Sequence, residues 1–348
     1  MSSTQSAPSP YLAVRDAWLD LYHEPILDPA LPIIDPHHHL WDREGWRYMP
    51  HDLLADVLSG HNIIATVFVQ ARAFHKADGP EELRPVGEIE FVNGAAAMGA
   101  SGQYGPGRIC AGIVGHADLR LGAAVDRVLE AHVRAGGDRF RGIRHIVAAD
   151  IDPSVNNPGN PAPSGLMGDA KFRAGFARLA PMGMSFEAWL YHPQVHELID
   201  LARAFPGTAI VLNHCAGPLG IGRFAGKHAE VFPGWAASMK ELATCPNVSV
   251  KLGGLGMRIN GFGFELGALP PSSDALVAAW KPYIDTCVTA FAADRCMFES
   301  NFPVDKGSYS YPVFWNACKK LAAGASADET KALFRGTANK FYRLGFDA

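Results

Sequence analysis

A single-domain (β/α)8 barrel with long βα loops is the fold class this sequence predicts, on three observations. Eight short β-rich apolar runs recur along the 348 residues, and segments of helical period separate them. No Gly-rich dinucleotide fingerprint or Walker loop points instead to an open doubly wound sheet. Hydrophobic residues at 48% suffice for one large core, and neither a composition break nor a solenoid-length repeat divides the chain.

The first run, 33 to 39, opens on Ile33-Ile34 and ends in Asp35-Pro36-His37-His38-His39. Side chains alternate along a strand, which puts Asp35, His37 and His39 on one face and Pro36 and His38 on the other. Two imidazoles thus converge, as metal-ligating nitrogens or a general base require, although adjacent histidines also serve ordinary strand-end hydrogen bonds. Runs at 62 to 70, 108 to 114 and 141 to 147 supply the next three strands. The remaining four are 183 to 190 (Gly-Met-Ser-Phe-Glu-Ala-Trp-Leu), 208 to 214, 247 to 252 and 295 to 300. Between them, 193 to 204 has helical period with Pro at its start, and 327 to 344 is expected to be the last helix. Residues 1 to 30 form an N-terminal extension whose Trp18, Leu19, Leu21 and Tyr22 recur at helical spacing. They are expected to pack on the barrel formed by 31 to 348.

The formal charge of −4, from 31 basic and 35 acidic residues without a basic cluster, gives no footprint for a nucleic acid or an anionic membrane. The expected partner is a small molecule. Cysteines 110, 215, 245, 287, 296 and 318 form no Cys-x-x-Cys pair and read as reduced thiols. With no signal peptide and no membrane-length apolar run, a cytoplasmic protein is expected. Homo-oligomers are common among such barrels, but nothing in the sequence marks an interface.

Barrel active sites lie at the C-terminal ends of the strands, where polar residues can be read together. They are His37 and His39, Gln70, Arg144 and His145, Glu187 and Tyr191, His214, Lys251, and Asn301. Each alone has a bland reading as half of an ion pair, a helix cap or a backbone partner. Their recurrence at nearly every strand end favours a site.

These residues resemble the amidohydrolase 2 family of the amidohydrolase superfamily, which contains 2-pyrone-4,6-dicarboxylate and sugar-acid lactonases. Asp35-Pro36-His37-His38-His39-Leu40-Trp41 resembles the family's Asp-x-His-x-His-Leu-Trp opening, and Gly142-Ile143-Arg144-His145 its Gly-Ile/Val-Arg strand. Asn213-His214-Cys215-Ala216-Gly217, Asn247-Val248-Ser249-Val250-Lys251-Leu252 and Gly336-Thr337-Ala338-Asn339-Lys340-Phe341-Tyr342 continue the resemblance, which runs from about residue 30 to the end. One departure stands out. Where the family has Gly-Ser-Asp-hydrophobic-Pro, this chain reads Glu299-Ser300-Asn301-Phe302-Pro303. An amide has no accessible basic form, so Asn301 cannot take the proton that the Asp would take. Glu299, Asp305 and Glu187 are the carboxylates that could replace it, and the sequence does not rank them.

The resemblance implies hydrolysis of a lactone or cyclic ester of a small carboxylic acid. His37, His39 and His214 would polarise the carbonyl, directly or through a divalent metal such as Zn²⁺, with Glu187 as a further ligand. Metal-free catalysis by the same histidines is the alternative that the missing Asp leaves open. Arg144 and Lys251 would hold a carboxylate or stabilise a leaving alkoxide. Tyr191, Gln70, His145 and Arg72 would bind substrate. Two other readings are a metal-dependent decarboxylase of an aromatic or unsaturated acid, and a non-catalytic small-acid-binding barrel. The Gly-rich loops 217 to 230 and 253 to 269, with Arg223, Arg258, Phe262 and Phe264, are expected to cover a bound ring.

Overall fold

The computed structural model describes residues 11 to 346. Eight parallel strands form one sheet in chain order: β1 (Ile33–His38), β2 (Ile63–Val69), β3 (Arg108–Gly115), β4 (Phe140–Ile143), β5 (Ser185–Ala188), β6 (Ile210–Leu212), β7 (Val248–Leu252) and β8 (Cys296–Phe298). Each pairs with the next, as a right-handed βα succession requires. The ring closes where β1 meets the segment after β8, through Asn301 N donating to His37 O at 2.9 Å and His39 N donating to Phe302 O at 2.8 Å. The molecule is thus a (β/α)8 barrel.

All eight expected strands form, and the ordered ladder stops two or more residues short of the expected end in β4, β5, β6 and β8. There the chain turns irregular at the barrel mouth, though Arg144 N still donates to Gly115 O and Val147 N to Trp189 O. A short hairpin, Trp41–Arg43 with Trp46–Tyr48, follows β1 and was not expected. Two apolar clusters hold the layers together. Ile34, Ala65, Val67, Val69, Val114, Val211 and Met297 fill the interior with Tyr342, and a larger cluster lies between the strands and the outer helices.

Strict alternation along β1 fails. The β1–β2 register shifts between Asp35 and His38, so Asp35 leaves the face of His37 and is buried against Ser300 (Oγ to Oδ2, 2.6 Å) and Tyr311 (Oη to Oδ2, 2.9 Å). His38 meets Thr66 Oγ1 at 2.8 Å on the outer side.

Helix Val195–Ala204 follows a short turn containing Pro193, as expected. The last helix is interrupted: Ala327–Lys331, capped by Ser326 with Glu329 in a capping box, passes into a π-turn at Ala332–Gly336 and then Thr337–Tyr342. Among the described residues of the N-terminal extension only Asp16–Leu19 is helical. Trp18 Nε1 donates to Gly267 O at 3.1 Å and Asn316 Nδ2 to Glu24 Oε1 at 2.9 Å, which ties the segment to the barrel. All six cysteines are free and buried, and no described helix is long and apolar enough to cross a membrane.

Candidate active site

At the C-terminal mouth of the barrel lies a pocket of about 860 Å³, counted with its open entrance. His39, Arg144, His214 and Asn301 line it together with Trp41, Trp189 and Tyr191. Beneath it Glu299, fully buried, faces two imidazoles. Its Oε1 accepts from the His214 backbone N–H at 3.0 Å and lies 2.6 Å from His214 Nδ1, while Oε2 lies 2.7 Å from His37 Nδ1. The second contact is not aligned as a hydrogen bond, so Oε2 is a buried oxygen with no hydrogen-bond partner among the described residues.

This network assigns the ring protons. With Glu299 ionised, His214 carries its proton on Nδ1, toward that carboxylate, and His39 carries its own on Nδ1, which donates to Val69 O at 2.7 Å. Both rings therefore present an Nε2 lone pair, and both line the pocket. His37 Nε2 lies 3.2 Å from Arg144 Nη1. A neutral imidazole accepts at one nitrogen only, so Arg144 takes that place. The Lys251 ammonium, 3.1 Å from His37 Nδ1, is then a neighbouring charge rather than a second donor.

Burial, with positive charge from Arg144 near all three and from Lys251 near His37 and His214, pushes the imidazoles well below the usual histidine range and keeps them neutral at neutral pH. Burial, reinforced by Glu187 and opposed by Lys251, raises the Glu299 carboxyl to about 8. Arg144 is lowered by burial to about 10 and stays a cation. It is fixed by Nη2 donating to Gln70 O at 2.5 Å, and its buried Nε has no hydrogen-bond partner among the described residues.

Donor atoms of His37, His214 and Glu299 all lie within 4.8 Å of one another. Two imidazoles and a carboxylate oxygen without an aligned hydrogen bond are ligand types for a divalent cation, which would take a His37 nitrogen in place of the Arg144 contact. This group differs from the expected ligands. His39 lies outside it with Nδ1 on Val69 O, and Glu187 lies deeper in the barrel. Glu187 bonds Lys251 Nζ (2.9 Å), Asn213 Nδ2 (2.5 Å) and the Tyr342 hydroxyl.

The other expected residues divide by depth and direction. Lys251 is fully buried on Pro36 O (2.8 Å) and Glu187, and it does not line the pocket. Asp305 sits behind Asn301, accepting from its Nδ2 at 2.8 Å, from Tyr309 at 2.6 Å and from Gly256 N at 2.9 Å. Burial raises this carboxyl to about 7. Asn301 lines the pocket, and its Oδ1 is buried without a hydrogen-bond partner among the described residues. Tyr191 presents its ring to the pocket while its hydroxyl donates to Val155 O at 3.0 Å. His145 and Arg72 face a neighbouring cavity, and Gln70 lines both. Arg258 lines the pocket, whereas Arg223 pairs with Asp150 (2.7 Å) and Phe262 stacks on His228, both away from it.

Sequence reasoning missed Tyr11, Leu12 and Trp189 as pocket walls. Trp189 meets the His214 ring edge-on at 4.7 Å between centroids. It is the next inward position after Glu187 on an alternating strand, a signal that was available. Nothing in the local pattern around Tyr11 indicates that the N-terminal segment reaches the mouth.

The family model described as amidohydrolase matches residues 34 to 344. Protein y4mH of Sinorhizobium fredii is 34% identical over 336 residues, covering 90% of this chain and 99% of its own length. An L-fucono-1,5-lactonase of Burkholderia multivorans is 26% identical over 325 residues, covering 89% of this chain and 96% of its own. An amidohydrolase from Burkholderia multivorans, crystallised with bound zinc, superposes with a TM-score of 0.69 at 26% identity, covering 90% of this chain and 99% of its own. With the family match spanning the whole barrel and the histidine cluster at its mouth, the chain is an enzyme of the amidohydrolase family.

Proposed function

We propose that this enzyme hydrolyses a lactone or related cyclic ester of a small carboxylic acid. One observation carries the reading: His39 and His214, their Nδ1 atoms fixed by Val69 O and Glu299, line one pocket beside a buried guanidinium. Similarity to a protein named as an L-fucono-1,5-lactonase supports it.

Water adds to the carbonyl carbon, the ring C–O bond breaks, and the water proton passes to the ring oxygen, giving a hydroxy acid. His39 is the group placed to carry that proton, because its Nε2 is an acceptor and it stands outside the metal-fitting group. Asn301 Oδ1 accepts from the attacking water and orients it. Arg144, desolvated and pinned by two hydrogen bonds, faces the carbonyl oxygen as negative charge develops there. Arg43 and Arg258 add positive charge at the rim for an acidic substrate. His37, His214 and Glu299 would hold a zinc ion, which when bound supplies Lewis acidity toward the substrate carbonyl.

The test is a panel of carboxylated and sugar-acid lactones assayed for ring opening and for CO₂ release, with metal content measured on protein purified without added metal. Ring opening without CO₂ is expected. CO₂ release from an intact ring would assign a decarboxylase instead. Saturable binding with no turnover at any pH would leave a binding barrel.

A further inference from the structure

Beyond Gln70 the cavity system continues. A second cavity of about 1370 Å³, counted with its open mouth, adjoins the pocket, and Gln70, Ile146 and Asn160 line both. Gln70 is fully buried, and neither atom of its side-chain amide has a hydrogen-bond partner among the described residues. Leaving a buried amide unpaired is costly, and such groups are paired as a rule.

The wall past Gln70 is built rather than loose. Glu88 Oε1 accepts from Ala71 N and Ala73 N at 2.9 Å each, clamping a turn in which Arg72 and Phe74 hold φ of +58° and +54°. Strain of this kind at non-glycine residues persists only where the surroundings enforce it. Arg72 Nη1 donates to Gly159 O at 3.2 Å and to Asn160 Oδ1 at 3.1 Å, which ties the turn to the opposite wall.

Hydrogen-bonding groups of both senses face this cavity. His116 Nδ1 donates to Arg144 O (3.2 Å), which leaves Nε2 as an acceptor. His145 Nδ1 accepts from Leu119 N (3.2 Å), which leaves Nε2–H as a donor. His75 Nε2 is buried and has no hydrogen-bond partner among the described residues. Burial holds His116 at about 3 and His145 at about 4, so both are neutral. The charged residues of the lining balance in sign, Arg72, Arg84 and Arg120 against Glu81, Glu82 and Asp118, and Arg120 pairs with Asp118 (2.7 Å).

We propose that the two cavities form one elongated substrate site: the lactone ring lies beside His39 and His214, and a neutral hydroxylated arm of the substrate passes Gln70 into the second cavity. Hydroxyls donate and accept, matching a wall that does both and whose charges balance, so that it offers a charged arm no net counter-charge. The inference rests on the lactone-opening reading of the first pocket.

The test is kcat/KM for a length series: an armless six-membered lactone, then aldonolactones of six, seven and eight carbons. The wild-type series needs no variant, and kcat/KM is expected to rise at least about tenfold as the arm lengthens, mostly through KM. In Ile146→Trp, which fills the passage, the longest lactone should lose at least about tenfold more than the armless one. A wild-type preference for the armless ring, or an equal loss for both in a folded Ile146→Trp, overturns the two-lobed site alone. Failure to open any lactone overturns the lactone reading and this inference with it.

Discussion

At Glu299 a single carboxylate faces two imidazoles, 2.6 Å from His214 Nδ1 and 2.7 Å from His37 Nδ1. A glutamine there keeps one acceptor and turns an NH₂ toward the other ring. Glu299→Gln is therefore expected to lower kcat about 10- to 100-fold and to weaken metal uptake, with the fold intact by circular dichroism. An unchanged kcat would remove Glu299 from the machinery. Asn301 poses the opposite question, because restoring the family's Asp should not restore a family site. Asn301 Nδ2 donates to Asp305 Oδ1 at 2.8 Å, and Asp305, raised by burial to about 7, already resists ionising. A second carboxyl there must share a proton with it. Acids whose folded-state pKa is raised lose their stabilising contribution as pH rises through that value. Asn301→Asp should thus be destabilised on the order of 1–3 kcal/mol more at about pH 8.5 than at about pH 5.5, measured by urea unfolding. Equal deficits at both pH values would contradict the pairing.

Elements place these residues by bending the chain into unfavourable conformations. After β6, His214, Cys215, Ala216 and Gly217 hold φ of +56°, +49°, +64° and +46°, a left-handed run that turns the His214 ring over Glu299. The loop after β7 passes so close that a Cβ on Gly254, whose own φ is +65°, would meet His214 Nδ1 at 2.3 Å. Gly254→Ala should displace that ring and cost roughly 100-fold in kcat, with about 1–2 kcal/mol of stability lost to the backbone conformation. Full activity would mean that the His214 position is not critical. On the β2 side, Glu88 clamps the Gln70 to Phe74 turn from a fully buried position that raises its carboxyl to about 7. Its unfolded value near 4.5 is lower, so its contribution is fully present below about pH 4.5 and is lost as pH rises through about 7, a loss on the order of 3 kcal/mol. Glu88→Gln keeps an acceptor for both N–H groups and should flatten that part of the stability profile. Parallel wild-type and variant profiles would refute the assignment.

Over the whole molecule, the barrel was legible because each strand is a short apolar run and the helices between keep their period. Strand-end residues converged because the fold puts all eight ends at one mouth. Depth was not legible. Glu187 and Lys251 alternate correctly into the barrel yet sit below the pocket, joined to each other at 2.9 Å, because their height depends on strand stagger rather than on local pattern. The β1 bulge that removes Asp35 from the face of His37 likewise arises from pairing with β2, which one strand's sequence does not encode. Glu299 was visible among three candidate carboxylates, and only the closed barrel sets it between His37 and His214. The central claim is that an oriented His39 carries the proton in lactone opening. Its most direct test is pH-stat measurement of acid release from the lactone panel by the wild type and His39→Asn. The account predicts ring opening by the wild type, with kcat at least about 100-fold lower in the variant and KM little changed. Failure to open any lactone, or a fully active His39→Asn, would contradict it.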